Sequence, residues 1–328
     1  PALPRPDAGT QALRRHGART QALTRSPTMA HDPPTHLRWD AESLWQQLVP
    51  VLPHLSLEVL ARCESTNSVL IERARRAGGD PDAPVSQPGV LDAGTAGSAP
   101  TPHGRRGGDV EPCLLVAEQQ TRGRGRLGRG WLAAPGASLT FSLSLPLAPR
   151  DWSGLSLAAG LAIAEALDPA GEHAPRVLLK WPNDLWLAGS EGGKLGGMLI
   201  ETVTVGRRRM CVVGVGLNVQ PLPATLAGEL GGHASVSELN PAATPPGVLA
   251  RIALPLVHAL MAFQREGLPP HVPAYARRDL LRGRAVTTSA ALPAPGQCEG
   301  VDEHGALLVR ADGQLHRIVS GEVSVRPV

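Results

Sequence analysis

Thr121-Arg-Gly-Arg-Gly-Arg-Leu-Gly-Arg-Gly-Trp131 places four arginines and four glycines in one short stretch between two apolar runs. Glycines let a backbone bend and bring its N–H groups close to a ligand, and guanidinium forks are planar, permanently charged donors suited to phosphate. The chemistry these residues suit is anion binding by a closing loop. Three readings stand for this stretch alone: a phosphate-binding loop, a nucleic-acid-binding Arg/Gly segment, and a solvated charged turn. Gly123, Gly125 and Gly128 also satisfy G-x-G-x-x-G after a strand-like run, but a dinucleotide fingerprint must open a helix, and Gly130, Pro135 and Gly136 follow instead.

A second group of polar residues is Lys180-Trp-Pro-Asn-Asp184, followed by Lys194-Leu-Gly-Gly197. Among 32 basic residues only Lys180 and Lys194 are lysines, which marks each for a role needing a compact ammonium charge. Around Pro182 the polar residues read either as a strand end presenting groups to a site or as a structural turn with an Asx bond. The second stretch is not a P-loop, because Leu195 stands where Ser or Thr would bind magnesium. Gly196 and Gly197 weaken a strand unless a ligand or another backbone comes close, and Gly214 and Gly216, ahead of Asn218, permit the same approach. Glu64-Ser-Thr-Asn67 reads first as a helix N-cap, which explains one polar residue better than three.

The elements that must position these groups follow from pattern. Asp40 caps a short helix through Leu44, Trp45 and Leu48, and Leu55, Leu57 and Val59 alternate as a half-buried strand. A helix spans Ser68 to Ala77. Cys113 to Glu118 forms a buried strand feeding the arginine loop, and Ser138 to Leu147 alternates as a strand. A helix from Ser153 to Leu167 and a strand at Val177 to Leu179 come next. Gly192 and Gly193 turn a hairpin that puts Lys194 at the start of the returning strand, and Met210 to Val215 is the next strand after a turn at Gly206–Arg209. This order gives a mixed, mostly antiparallel sheet and not a Rossmann alternation. Two apolar-periodic helices lie between Pro246 and Arg282, the first kinked at Pro255. From Gly283 onward short runs separated by Asp302-Glu-His-Gly305 and Asp312-Gly313 predict a small β-barrel.

Composition narrows the function classes. A chain of 328 residues with 42% apolar content buries a sizeable core. The net charge of +3 is local: residues 1–28 carry five arginines against Asp7, so the remainder sums to −1, which does not support a generally basic nucleic-acid-binding body. Residues 1–36, rich in Pro and Arg, are expected to be disordered, with Met29 as an expected start of the native protein, and 78–111 to be a flexible insertion. No apolar run of membrane-spanning length and no signal peptide are expected, which makes the cytoplasm the default. The scattered Cys63, Cys113, Cys211 and Cys298 are expected to be buried free thiols, not disulfides or zinc ligands.

Glu64-Ser-Thr-Asn67, Ala117 to Arg129 with Trp131, Lys180-Trp-Pro-Asn-Asp184, Lys194-Leu-Gly-Gly197 and Gly214-Val-Gly-Leu-Asn218 together resemble the biotin–protein ligases, in that family's order over residues 55–220. Ser320-Gly-Glu-Val-Ser-Val-Arg326 resembles the end of the family's SH3-like barrel. The resemblance implies an α+β fold: a class II synthetase-like catalytic domain over 37–280, its mixed, mostly antiparallel sheet flanked by helices, and a small C-terminal SH3-like β-barrel over 281–328. It implies a ligase that uses ATP, with Mg2+, to activate biotin as biotinyl-5'-AMP, then transfers biotin to a lysine of the biotin carboxyl carrier protein of acetyl-CoA carboxylase or a related carboxylase.

By the same resemblance Lys194, Arg126 and Asp184 are catalytic. Ser65, Thr66, Asn67, Gln120, Gly123, Arg124, Gly125, Arg126, Trp131, Lys194 and Gly197 bind biotin; Arg124, Arg126, Lys194 and Asn218 bind the nucleotide. No metal ligand is assigned. The segment before Glu64 is too short for the winged helix of the family's repressors, so no DNA binding is expected, no membrane is implied, and a homodimer by strand pairing rests on family grounds. Two rival readings remain: a lipoate– or octanoate–protein ligase of the same fold, and an RNA-binding module using the Arg/Gly loop. The latter lacks an aromatic platform, since Tyr275, Phe141 and Phe263 lie far from the loop in sequence.

Overall fold

A computed structural model describes residues 37–78, 110–169, 171, 173–189, 193–224, 226, 232–289, 295–319 and 325–327. The expected disordered extension and nearly all of the expected insertion lie outside the described residues. The described residues all belong to one compact unit.

Seven strands build the main sheet: β1 Ser56–Cys63, β2 Cys113–Gln120, β3 Ser138–Pro146, β4 Val177–Lys180, β5 Asp184–Leu187, β6 Gly193–Val205 and β7 Arg208–Asn218. Their order is β1-β2-β3-β7-β6-β5-β4. The β1–β2 pair is parallel and the other neighbours are antiparallel, as the sequence pattern predicts.

The sheet has two chemically different faces, set by residue alternation. Leu139, Phe141, Leu143 and Leu145 of β3, with Cys211, Val213, Val215 and Leu217 of β7, belong to the main apolar core. Ser138, Thr140, Ser142 and Ser144 point the other way, beside Gly214 and Gly216. Eight of the nine residues of β3 are buried, because β2 and β7 flank it and helices cover the sheet. Its hydroxyls find partners there: Thr140 Oγ1 donates to Ala117 O at 2.8 Å, and Ser138 Oγ accepts from Ala134 N–H at 3.1 Å.

Among the described residues five helices cover the sheet: α1 Ala41–Leu48, α2 Thr66–Ala77, α3 Leu155–Leu167, α4 Pro245–Glu266 and α5 Val272–Arg278. Helices α3 and α4 pack on each other and supply the core on the apolar face, while α2 packs across β2, β3, β6 and β7 on the polar one. Helix α2 starts at Thr66 and not at Ser68, because Ser65 is extended and its side chain accepts the N–H of Ser68 as an N-cap. In α4, Thr244 accepts from Gly247 N–H, Pro245 and Pro246 occupy the first turn, where a missing N–H costs nothing, and the helix continues through Pro255. Helix α4 also corrects the expectation that no run reaches membrane-spanning length: its 22 residues are long and apolar enough by composition. Nine of them are buried, and most of these join the core against α3.

The C-terminal strands β8 Ala285–Thr288, β9 Gly296–Val301, β10 Leu307–Ala311, β11 Gln314–Ile318 and β12 Val325–Pro327 pair in the order β11-β10-β9-β8-β12, antiparallel throughout. They form a half-barrel, which agrees with the SH3-like expectation in kind. Asp312 and Gly313 join β10 to β11 as a two-residue turn with both φ positive, at 47° and 78°. This sheet is tied to the main one where the Trp181 indole donates to Gly305 O at 3.0 Å.

Candidate active site

A cleft opens on the polar face of the main sheet, floored by Gly197, Gly214 and Gly216 and roofed by the arginine loop. The floor glycines are required by what lies above them. A Cβ on Gly214 would stand 2.1 Å from Asn67 Oδ1, and one on Gly216 would stand 2.4 Å from the Trp131 ring. The expected close approach is therefore made by side chains of α2 and the loop.

One end of the cleft is neutral and hydrogen-bonded. Thr66 N–H and Oγ1 lie 2.7 and 3.2 Å from Gln120 Oε1, and Ser142 Oγ lies 2.6 Å from both Thr66 Oγ1 and Asn67 Oδ1. Asn67 Nδ2 donates to Leu199 O at 3.0 Å and to Glu201 Oε2 at 2.9 Å. Thr66, Asn67 and Ser142 are buried, so these groups are fixed before any ligand arrives.

The other end is cationic. Lys194 Nζ pairs with Asp184 Oδ1 at 2.8 Å and sits 5.9 Å from the Trp131 ring centroid. A β-bulge aims it. Asp184 and Trp186 share a face of β5; opposite them stand Gly197 and Lys194, with Leu195 as the extra residue. Without that extra residue Lys194 would share the side of Gly196 and Met198, whose Cε lies against Gly160 of α3. Lys180, opposite Asp184, lies on the same face as Lys194, 5.3 Å from the Trp186 ring. Arg126 lines this end as well; burial draws its pKa below the ordinary guanidinium value, Asp184 opposes the fall and Arg129 adds to it. The cleft lining holds Arg126, Arg129, Lys180 and Lys194 with Asp184 as the one carboxylate among its described residues, an arrangement that suits a polyanion.

The loop is a small closed hairpin. Gly125 N–H donates to Arg129 O, Trp131 N–H donates to Gly123 O, and Arg124 bridges Gly130 across it. The stretch Arg126–Gly128 is one 3-10 turn with Leu127 in the left-handed region at φ 59°, which confirms that no helix follows and removes the dinucleotide fingerprint. The Arg124 guanidinium forms a bidentate pair with Glu201, at 2.8 and 3.2 Å.

Of the residues expected here, Thr66, Asn67, Gln120, Arg124, Gly125, Arg126, Trp131, Asp184, Lys194 and Gly197 line the cleft. Three do not. Ser65 caps α2 from beneath, and Gly123 packs under Trp131 O, which a Cβ would approach to 2.4 Å. Asn218 lies at the end of β7, donating to Lys194 O at 3.2 Å with its buried Oδ1 unpartnered in the structure. The sequence reading missed Ser142 and Glu201. Glu201 was findable as a carboxylate inside an apolar strand run, whereas Ser142 looks like any polar position of an alternating strand. Among the described residues no three His, Cys, Asp or Glu side chains group to hold a metal.

The chain with this mixed sheet, glycine-floored cleft and arginine loop falls in the class of the biotin/lipoate protein ligases. Residues 110–218 match the model of the Biotin/lipoate A/B protein ligase family, and residues 293–326 match that of the Biotin protein ligase C terminal domain. The chain is 32% identical to a biotin–[acetyl-CoA-carboxylase] ligase of Mycobacterium tuberculosis, over 66% of this chain and 80% of that protein. It is 34% identical to the bifunctional ligase/repressor BirA of Escherichia coli, over 64% of this chain, and spans 65% of that relative's length. A biotin protein ligase from Aquifex aeolicus, solved in complex with biotin and ATP, superposes with a TM-score of 0.60 at 26% identity, covering 83% of this chain and 99% of that one. The chain belongs to the biotin protein ligase family.

Proposed function

We propose that this protein joins biotin to ATP as biotinyl-5'-AMP and then passes the biotinyl group to a lysine of a biotin carboxyl carrier protein. The observation that carries this reading is the two-ended cleft. Biotin has an uncharged ureido end and a carboxylate end; Thr66, Asn67 and Gln120 offer neutral partners at one side, and Lys194 and Arg126 offer cations at the other. Neutral buried partners reject analogues that leave them unpaired.

In the first step the biotin carboxylate attacks the α-phosphate of ATP and pyrophosphate leaves. Both reactants are anions, so fixed positive charge aimed at the phosphorus lowers the barrier. Lys194, held by Asp184, supplies it, and Arg126 and the loop close over the mixed anhydride and keep water away. Asn218, with its unpartnered Oδ1, serves the nucleotide side. Magnesium fits in a limited sense: it is commonly held by one or two carboxylates plus substrate phosphates, and Asp184 is the carboxylate of the cleft, where the ion would neutralise phosphate charge.

The finer assignments are part of the same proposal: a catalytic region ending near residue 280, a carrier from acetyl-CoA carboxylase or a related enzyme, a homodimer, and a cytoplasmic location, which the free Cys63, Cys113, Cys211 and Cys298 favour. The repressor role in the name of the Escherichia coli relative stays with that protein. The test is biotin-dependent ATP–pyrophosphate exchange without carrier, with lipoate and octanoate in parallel. Exchange with biotin alone is expected; exchange with lipoate or octanoate instead would move the substrate, and exchange with none from folded protein and magnesium would refute the reading.

A further inference from the structure

Glu201 has no role in the reaction as described, yet it is the acceptor on which two parts of the cleft converge. Its Oε1 takes Arg124 at 2.8 Å, and its Oε2 takes Arg124 at 3.2 Å and Asn67 Nδ2 at 2.9 Å. Arg124 belongs to the roof and Asn67 to the neutral end. Arg124 also reaches Ser68 Oγ at 3.4 Å, so the guanidinium is fastened to the first turn of α2 as well as to β6. The path runs without interruption from the loop through Arg124, Glu201 and Asn67 to Ser142 and Thr66. A bidentate guanidinium–carboxylate pair fixes direction as well as distance.

We infer that Glu201 is a positioning residue, the latch that holds the arginine loop closed through Arg124 and couples closure to the geometry of Asn67. Arg124 is then the anchor of the loop, and the charge directed at the phosphate comes from Arg126 and Lys194. The pair is half-exposed, with side-chain exposures of 45% for Arg124 and 25% for Glu201, so its effect is a bias on loop closure and not on folding. The consequence for adenylate retention rests on the proposed activity; the consequence for the loop does not.

The test is hydrogen–deuterium exchange of the peptide spanning 121–131 in the ligand-free full chain. Glu201→Gln keeps the size and the Asn67 contact but removes the charge, and exchange of that peptide is expected to rise about fivefold, the scale for a half-exposed ion pair of good geometry. Exchange of the β3 and β7 peptides stays as in the native chain. Glu201→Asp, which restores the charge at a shorter reach, recovers part of the protection. Reversing the pair with Arg124→Glu and Glu201→Arg together protects the loop better than either change alone, which a merely structural role for Glu201 would not give. Unchanged loop exchange in Glu201→Gln, or a reversed pair no better than its single variants, would overturn the latch. Glu201→Gln should also leak adenylate, read as labelling of bystander lysines at about fivefold the native rate. If no acid supports exchange of pyrophosphate while the loop still loosens, the latch stands and the proposed activity falls.

Discussion

Gly214→Ala is the sharpest single change the cleft offers. The added methyl would stand 2.1 Å from Asn67 Oδ1, 2.8 Å from Cγ and 3.1 Å from Nδ2, so the whole amide must move by about 1 Å to reach ordinary contact. Asn67 is 3% exposed and is held from three sides by Ser142, Leu199 and Glu201, so water does not replace the bonds it gives up. Overpacking costs about 1–3 kcal/mol and each lost net hydrogen bond about 1 kcal/mol, which predicts a destabilisation of about 2–4 kcal/mol. The neutral end is distorted, whereas the Lys194–Asp184 pair that serves the chemical step is not touched by the new methyl. The KM for biotin in pyrophosphate exchange should therefore rise roughly 10- to 100-fold, while kcat at saturating biotin stays within a few-fold. Urea unfolding and steady-state exchange measure the two effects, with Gly171→Ala, whose Cβ meets nothing within 4 Å, as the neutral control. Native stability together with a native KM would show that Asn67 does not stand where the argument needs it.

Lys194→Ala should lower biotinyl-adenylate formation by roughly 100-fold or more with the fold retained, because the half-exposed ammonium pairs with Asp184 and lies outside the apolar core; near-native exchange would sink its assignment. Arg278 is 3% exposed and bonds Asp168 Oδ2 and Val177 O, both at 2.9 Å, as well as Asp168 O, so Arg278→Ala should cost about 3 kcal/mol in urea unfolding. Partial burial pushes the Asp168 carboxyl up, but hydrogen bonds from Val177, Arg278 and Arg176 together hold it below the usual carboxylate range. That stability is present above the unfolded pKa and is lost as pH falls through the folded one, so the native chain should weaken below about pH 4 more steeply than Arg278→Ala. Burial pushes the thiols of Cys63, Cys211 and Cys298 up to about 12, so a thiol reagent at pH 7.5 should leave them unmodified in the native protein; rapid labelling would place them outside the packed structure.

Much of this was legible in the chain because local chemistry and global fold agree. Most strands of the main sheet announced themselves by apolar runs and turn residues, and the Asp312-Gly313 turn adopts the positive φ that its residues favour. The polar stretches at strand ends line the cleft for the same reason they looked odd as core. What the pattern did not give was environment: the serines of β3 are ordinary polar positions of an alternating strand, and only the packing of α2 over that face turns them into a buried hydrogen-bonded floor.

The bulge at Leu195 shows where sequence periodicity must fail. Read with strict alternation, Lys194 falls on the side of Gly196 and Met198, among apolar neighbours, and Gly197 falls on the opposite one. The one-residue insertion returns Lys194 to the face of Asp184, within 2.8 Å of its carboxylate, and buries Leu195 in its place. A bulge is stabilised by tertiary contacts, here the core around Leu195 and the parallel bridge from Lys194 to His233, neither of which a local pattern carries. The residue given the central catalytic role is thus the one whose orientation a period-two reading inverts. That is the expected place for such a failure, since re-aiming one side chain against the pleat is how a strand delivers a charge to a site without surrendering its core.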